Sequence, residues 1–224
     1  MPSELEQVIF FGRSFQQYLD FFDLDSAALS SLRILDCGSG PSSFTAFADQ
    51  VAESCIAVDP LYENSPEELK RIIGRDAVRL RKWVKQQPDL ELVEVENFKM
   101  KWQETTQLFL DHFKRRTSCY VDACLPQLPF CENEFELVLC ANFLMIYSNT
   151  FSDQFHEKSL RELLRVSNKE LRVFPTKDYA GIHSAYLENF FSIGKEMNFK
   201  VTLEPSQPCL VNSWDEYLRF QRIE

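Results

Sequence analysis

Glycine is scarce, at 6 of 224 residues. Glycine-rich linker is therefore absent, and each glycine is expected to stand where the backbone needs it. No internal repeat or low-complexity stretch interrupts the chain. No apolar run approaches the length of a membrane span. The opening Met1-Pro2-Ser3-Glu4-Leu5-Glu6 lacks the basic n-region of a secretory leader. Basic residues are outnumbered 24 to 34, for a formal net charge of −10, which argues against a large nucleic-acid footprint. The seven cysteines (Cys37, Cys55, Cys119, Cys124, Cys131, Cys140 and Cys209) contain no Cys-x-x-Cys pair. That spacing offers neither a zinc ribbon nor a redox pair, so they read as reduced, small apolar core residues and no metal site is expected. These absences leave a cytoplasmic globular protein without membrane or nucleic-acid partners. A chain of 224 residues is long enough for one α/β domain with a full core, expected over 1–224.

What is present is organised around Leu32-Arg33-Ile34-Leu35-Asp36-Cys37-Gly38-Ser39-Gly40-Pro41-Ser42-Ser43. The apolar start reads as a buried parallel strand. Two glycines then make a turn that lets a ligand approach the backbone. Phe44, Phe47, Ala48 and Val51 follow at i, i+3, i+4 and i+7, the spacing of one helical face. Strand, glycine turn and helix together suit a nucleotide-like cofactor. The dinucleotide pattern wants a third glycine, and Ser43 stands there. An acidic residue lies just before the turn, at Asp36. A carboxylate there suits a cofactor with an ammonium and repels one with a pyrophosphate.

Before the turn, 1–30 is expected to be a helical segment. Ser14 with Gln17 makes a capping box, and Phe15, Tyr18, Leu19 and Phe22 share a face. After the turn, Ser54–Val58 reads as a second strand ending at Asp59-Pro60. An acid at that place can accept from ribose hydroxyls, or simply cap the turn before Pro60. Some 60 residues then precede the next strand. Ser65-Pro66-Glu67-Glu68 starts one helix that Pro88 closes, and a second is expected over Glu96–Arg116 with the stripe Phe98, Trp102, Thr105, Phe109 and Phe113. Residues 60–117 are thus expected to be a two-helix insertion capping a substrate pocket. Its basic residues Lys70, Arg71, Arg75, Arg79, Arg81 and Lys82 read as a solvated face. A third strand is expected at Ser118–Val121, ending in Asp122-Ala123, and a fourth at Phe135–Cys140. The helix through Phe155, Leu160, Leu163 and Leu164 carries His156, either a general base or a satisfied helix histidine. Ser167-Asn168-Lys169 is expected as a turn into a fifth strand, Glu170–Pro175. A helix near Tyr186–Met197 and a closing hairpin, Lys200–Leu203 with Tyr217–Phe220, complete the chain.

The Asp36-x-Gly38-x-Gly40 turn, Asp59, Asp122, the Leu128-Pro129-Phe130 stretch before Phe135-Glu136-Leu137-Val138, and Arg161-Glu162-Leu163-Leu164-Arg165-Val166 occur in order. In that order they resemble class I S-adenosylmethionine (SAM) methyltransferases from about Arg33 to the end. Phe11-Gly12-Arg13 and Asp59-Pro60-Leu61-Tyr62 are similar to a bacterial subset of methyltransferase-like proteins. The resemblance implies a Rossmann-like three-layer αβα sandwich. It also implies a seven-stranded, mostly parallel sheet whose last strand is antiparallel and inserted. It implies SAM as cofactor. In that reading Asp36, Cys37, Gly38, Ser39 and Gly40 form the turn under the methionine part, and Arg13 pairs with its carboxylate. Asp59 and Pro60 lie at the ribose, and Asp122 and Ala123 at the adenine. Cys140 and Ala141 approach the sulfonium, with Asn142 and Phe143 near the methyl group. No Asn/Asp-Pro-Pro-Tyr/Phe motif follows the fourth strand, which favours a small-molecule acceptor with protein acceptors open. Two other readings stay open: a non-catalytic SAM- or nucleoside-binding protein of this fold, and an NAD-linked oxidoreductase. Against the latter stand Asp36, the missing third glycine and the lack of a Tyr-x-x-x-Lys pair. Acceptor atom and oligomeric state have no motif.

Overall fold

The computed structural model describes residues 8–84, 92–178, 181–207 and 214–223, with the backbone alone for 81–84 and 92–99. Five apolar runs form its parallel strands: β1 Arg33–Cys37, β2 Ser54–Val58, β3 Tyr120–Val121, β4 Phe135–Ala141 and β5 Ser167–Phe174. β6 (Phe199–Pro205) and β7 (Glu216–Arg222) pair with each other antiparallel, and β7 pairs antiparallel with β5. The sheet order is β3-β2-β1-β4-β5-β7-β6. The chain winds outward from β1 to β3, then returns to place β4 on the other side of β1. The carboxyl ends of β1 and β4 therefore face a crevice at the point where the winding reverses, the usual ligand position in such sheets.

Six helices cover the sheet: α1 Phe15–Phe22, α2 Phe44–Ala48, α3 Pro66–Val84, α4 Leu92–Arg115, α5 Asp153–Val166 and α6 Leu187–Glu196. Because successive strand side chains alternate, each strand feeds two layers. Leu35, Val138 and Leu171 pack with Leu160, Leu163 and Phe190. Ile34, Leu137 and Leu139 pack with Tyr18, Phe22 and Phe44 on the other face. A third cluster joins Ala57 and Tyr120 to Tyr62, Leu69, Phe109 and Phe113. Phe109 and Phe113 make α4 the helix that links β2 to β3 across the sheet, and α3 packs outside it through Leu69, Ile72 and Ile73. Ser65 caps α3 as expected, its hydroxyl accepting from Glu68 N at 3.2 Å. Pro88 and Cys209 lie outside the described residues.

Several local expectations are corrected. α2 is only five residues long. Phe44 and Ala48 are buried, but Phe47 and Val51 are exposed, because the chain turns after Asp49 and Glu53 N bonds Leu32 O to begin β2. The buried face of α1 is Tyr18, Phe21 and Phe22, with Phe15 and Leu19 half-buried. Ser167-Asn168-Lys169 is strand, not turn: α5 runs straight into β5, and the register shift between Phe135 and Leu137 absorbs the junction. Thr117–Cys119 is a 3₁₀ turn that shortens β3. Cys37, Cys55, Cys119 and Cys140 are buried thiols, whereas Cys124 and Cys131 are exposed.

Candidate functional site

The turn after β1 is held from below. Asp36 is fully buried. Tyr18 Oη donates to its Oδ1 at 2.9 Å and Ser39 Oγ to its Oδ2 at 2.7 Å. Burial lifts the Asp36 carboxyl to about 7, against the pull of these two hydrogen bonds. Asp36 thus lies beneath the turn, its two carboxyl oxygens bonded to Tyr18 and Ser39. Cys37 is buried beside it, with its thiol pushed upward by burial. Gly38 (φ +71°) and Gly40 (φ +57°) take left-handed conformations that favour glycine.

The amide hydrogens of Gly38, Ser39, Gly40 and Ser43 already have acceptors. Gly38 N and Ser39 N donate to Val58 O at 2.9 and 3.1 Å. Gly40 N donates to Asp59 Oδ2 at 3.2 Å. Ser43 N donates to Arg13 O at 3.1 Å, and Phe44 N to Ser42 Oγ at 3.0 Å. A phosphate cradle needs free N–H groups, and these four are occupied.

Asp59 ends β2 half-buried and caps the 3₁₀ turn Pro60–Glu63, accepting from Leu61 N at 2.9 Å. The capping reading of Asp59 therefore holds, and each oxygen keeps a second lone pair. Burial lifts its carboxyl to about 6, with the Asp122 charge adding to the rise. Asp122 is exposed at the end of β3, with half-buried Ala123 beside it. Tyr62 Oη donates to Gly40 O at 2.6 Å and closes the turn from the β2 side.

A strap formed by residues 9–14 crosses the turn. Ile9 N donates to Tyr147 Oη at 3.1 Å, and Phe10 N to Asp76 Oδ2 at 2.9 Å. Asp76 is buried on α3 and also bonds Arg75 and Arg79. Gly12 lies flush on Pro41, since a Cβ there would stand 1.9 Å from Pro41 O. Arg13 O accepts from Ser42 Oγ at 3.0 Å as well as from Ser43 N. Ser14 and Gln17 close the expected capping box and start α1.

At the end of β4, Cys140 and Ala141 are buried, and burial pushes the Cys140 thiol up to about 12. Asn142 follows in a left-handed conformation, φ +54°, its N–H bonded to Phe174 O at 2.6 Å. Its Oδ1 accepts from Arg13 Nη2 at 3.3 Å. Its Nδ2 is buried without a hydrogen-bond partner among the described residues, a donor of the kind that marks a ligand position. The Arg13 guanidinium lies 4.3 Å from the Phe11 ring centroid. The Phe143 ring stands over Gly38, 3.3 Å from where a Cβ would be. The turn, Asp59, Asp122, Arg13 and Asn142 therefore share one edge of the sheet.

His156 does not join them. It is fully buried, its Nδ1 faces Ser152 O and its Nε2 faces Leu144 O, each at 3.0 Å, and Tyr186 stacks on it at 4.0 Å. With both ring nitrogens on backbone carbonyls, it is a packed helix histidine. Sequence reading missed Tyr18, Tyr62, Asp76 and Tyr147 as supports of the site. All four hydrogen-bond across long sequence distances, and Tyr18, the one whose stripe was read, looked like an ordinary core aromatic.

No protein-family model matches the chain. Among solved structures it is similar to the N-methyltransferase NodS from Bradyrhizobium japonicum WM9 in complex with S-adenosylhomocysteine. The identity is 15% and the TM-score 0.52, covering 94% of this chain and 86% of that one. It is also similar to magnesium protoporphyrin IX methyltransferase from Synechocystis PCC 6803 with bound S-adenosylhomocysteine, at 12% identity and TM-score 0.50, covering 87% and 75%. These likenesses establish the fold as that of class I SAM-dependent methyltransferases. In sequence, the chain is 31% identical over 189 residues to the uncharacterised protein MJ0045 of Methanocaldococcus jannaschii, covering 82% of this chain and 85% of that protein. The chain belongs to the family of that archaeal protein, built on the class I methyltransferase fold.

Proposed function

We propose that the protein is a SAM-dependent methyltransferase acting on a small molecule. The observation that carries this reading is the turn whose N–H groups at Gly38, Ser39, Gly40 and Ser43 are already bonded within the protein. These N–H groups are closed to a pyrophosphate, and a backbone carbonyl with a spare lone pair suits an ammonium. The partners for the rest of the cofactor lie in strand order. Asp122 ends β3, Asp59 ends β2, the glycine turn follows β1, and Asn142 with Arg13 stands at β4. Three strand spacings span about 14 Å, a length suited to a nucleoside joined to an amino acid.

In this reading Asp122 accepts from the adenine amine, and the Ala123 N–H serves a ring nitrogen. Asp59, beside Pro60, accepts from the ribose hydroxyls. Arg13, braced over Phe11, and Asn142 Nδ2 donate to the amino-acid carboxylate. Asp36 acts through Ser39 and Tyr18, fixing the turn. Gly38 and Gly40 let the ligand approach, and Cys140 and Ala141 form the apolar wall beside the sulfonium. When bound, SAM supplies an activated methyl group. The chain aligns the acceptor and excludes water, which can supply much of the acceleration. The two solved structures named above are methyltransferases by name, in keeping with the reading.

The test is a calorimetric titration with S-adenosylhomocysteine, with NAD in parallel. We expect the homocysteine compound to bind and NAD not to. Asp59→Asn should weaken binding about tenfold or more, because a hydrogen bond to a charged acceptor is lost. Binding of NAD alone would overturn the proposal.

A further inference from the structure

All three histidines lie among the described residues, and they are not alike. His112 has both ring nitrogens bonded, to Tyr120 Oη at 2.9 Å and Asp49 Oδ2 at 3.3 Å. His156 has both on carbonyls. His183 is exposed, and one nitrogen, Nε2, lies 2.5 Å from Glu216 Oε1. The same Glu216 oxygen accepts from Thr176 Oγ1 at 2.7 Å. No hydrogen bond to His183 Nδ1 is present among the described residues.

The pair stands at the carboxyl edge of the sheet, beyond β4 on the side of β5 and β7. Thr176 follows β5 by two residues, and the last residue of β5, Phe174, accepts the Asn142 N–H. Glu216 opens β7, next to β5. Its place is fixed by surrounding bonds. Lys177 bridges His183 through the backbone and pairs with Asp215 at 2.7 Å, and Asp178 accepts from Ile182 N at 3.1 Å. Lys177, Asp178, Asp215 and Glu216 are the charged groups around the imidazole in these segments. Asp215 is held below the usual carboxylate range, first by its hydrogen bond from Lys177. Glu216 is thus the carboxylate aligned on the ring.

We propose that His183, oriented by Glu216, is the general base of the transfer, and that the acceptor is a neutral hydroxyl compound, a phenol or enol. This rests on the methyltransferase reading above. A carboxylate on Nε2–H fixes the tautomer, so Nδ1 keeps its lone pair and the imidazolium, once formed, is stabilised. Amines attack through a neutral lone pair, and thiols ionise readily. A hydroxyl gains most from losing its proton as it attacks. In the step, an oxygen lone pair of the acceptor forms the O–CH₃ bond as the C–S bond breaks. That electron pair stays on sulfur, which becomes a neutral thioether. The hydroxyl proton passes to His183 Nδ1, and Glu216 balances the charge.

The experiment has two arms on the full chain. The first is ¹⁵N NMR of the labelled imidazoles with S-adenosylhomocysteine added. We expect neutral His183 to carry its proton on Nε2, and Glu216→Gln to abolish that preference. The second is methyl transfer from SAM to a series of phenols of graded acidity. We expect His183→Gln to slow the least acidic phenols about a hundredfold and the already ionised ones far less, with binding of S-adenosylhomocysteine retained. A proton resident on Nδ1, or a loss equal across the series, overturns the proposal. Binding of S-adenosylhomocysteine without transfer to any phenol overturns it too, while the cofactor reading stands. Absence of that binding removes the cofactor reading and the base together.

Discussion

Replacing Gly12 with alanine tests whether the strap is built against the turn. The new methyl carbon would stand 1.9 Å from Pro41 O, 2.2 Å from Pro41 C and 2.7 Å from Ser42 N. All three are backbone atoms, so no side-chain rotation relieves the clash. The strap must lift by roughly 1.5 Å to restore ordinary contact. That lift removes the bonds from Ser43 N and Ser42 Oγ to Arg13 O, and pulls Arg13 from Asn142 Oδ1. At about 1 kcal/mol per hydrogen bond, the loss is about 2–3 kcal/mol, similar to the cost of overpacking a well-filled site. Urea denaturation should show this decrease with an unchanged m-value. Native-state hydrogen exchange should show faster exchange at Ile9, Phe10 and Ser43. Affinity for S-adenosylhomocysteine should fall about tenfold, because Arg13 moves with the strap. A change below about 0.5 kcal/mol with strap protection intact would refute the reasoning.

Asp36 makes stability depend on pH. Its native carboxyl titrates near 7, above the ordinary value of 3.8, so folding takes up a proton between these values. The stability from this group is fully present below about pH 4 and is lost as pH rises to about 7, by an amount on the order of 4 kcal/mol; Asp59, raised to about 6, acts with the same sign. Asp36→Asn should flatten this slope in urea midpoints measured from pH 5 to 8, since an amide still accepts from Tyr18 and can donate to Ser39; an unchanged slope would count against the assignment. Gly194→Ala places a methyl 2.3 Å from Val201 Cγ2 and 3.0 Å from the Phe220 ring, where α6 meets the last two strands. A cost of about 1–3 kcal/mol should lower the thermal midpoint by several degrees, with cofactor binding unaffected because the site is distant in the sheet.

The sheet was legible because buried parallel strands are apolar runs and the last pair alternates. The turn was legible because Gly38 and Gly40 need left-handed backbone. α2 was misread because Phe44, Phe47, Ala48 and Val51 mimic a longer helix, while the return to Leu32 ends it after five residues. The motif placed Asp36 in the turn, but its partner Tyr18, 18 residues away, could not be read from it. His156 attracted notice on a periodic helix, yet packing gave both its nitrogens to carbonyls. His183 went unnoticed because Glu216, 33 residues on, has no fixed spacing from it. Long-range pairs of this kind leave no periodic trace in a sequence.

The most direct measurement is a crystal structure of the protein with S-adenosylhomocysteine. We expect the adenine beside Asp122, the ribose on Asp59, and the carboxylate on Arg13 and Asn142 Nδ2. A ligand running in the opposite direction, or seated away from the Gly38–Gly40 turn, would contradict the account.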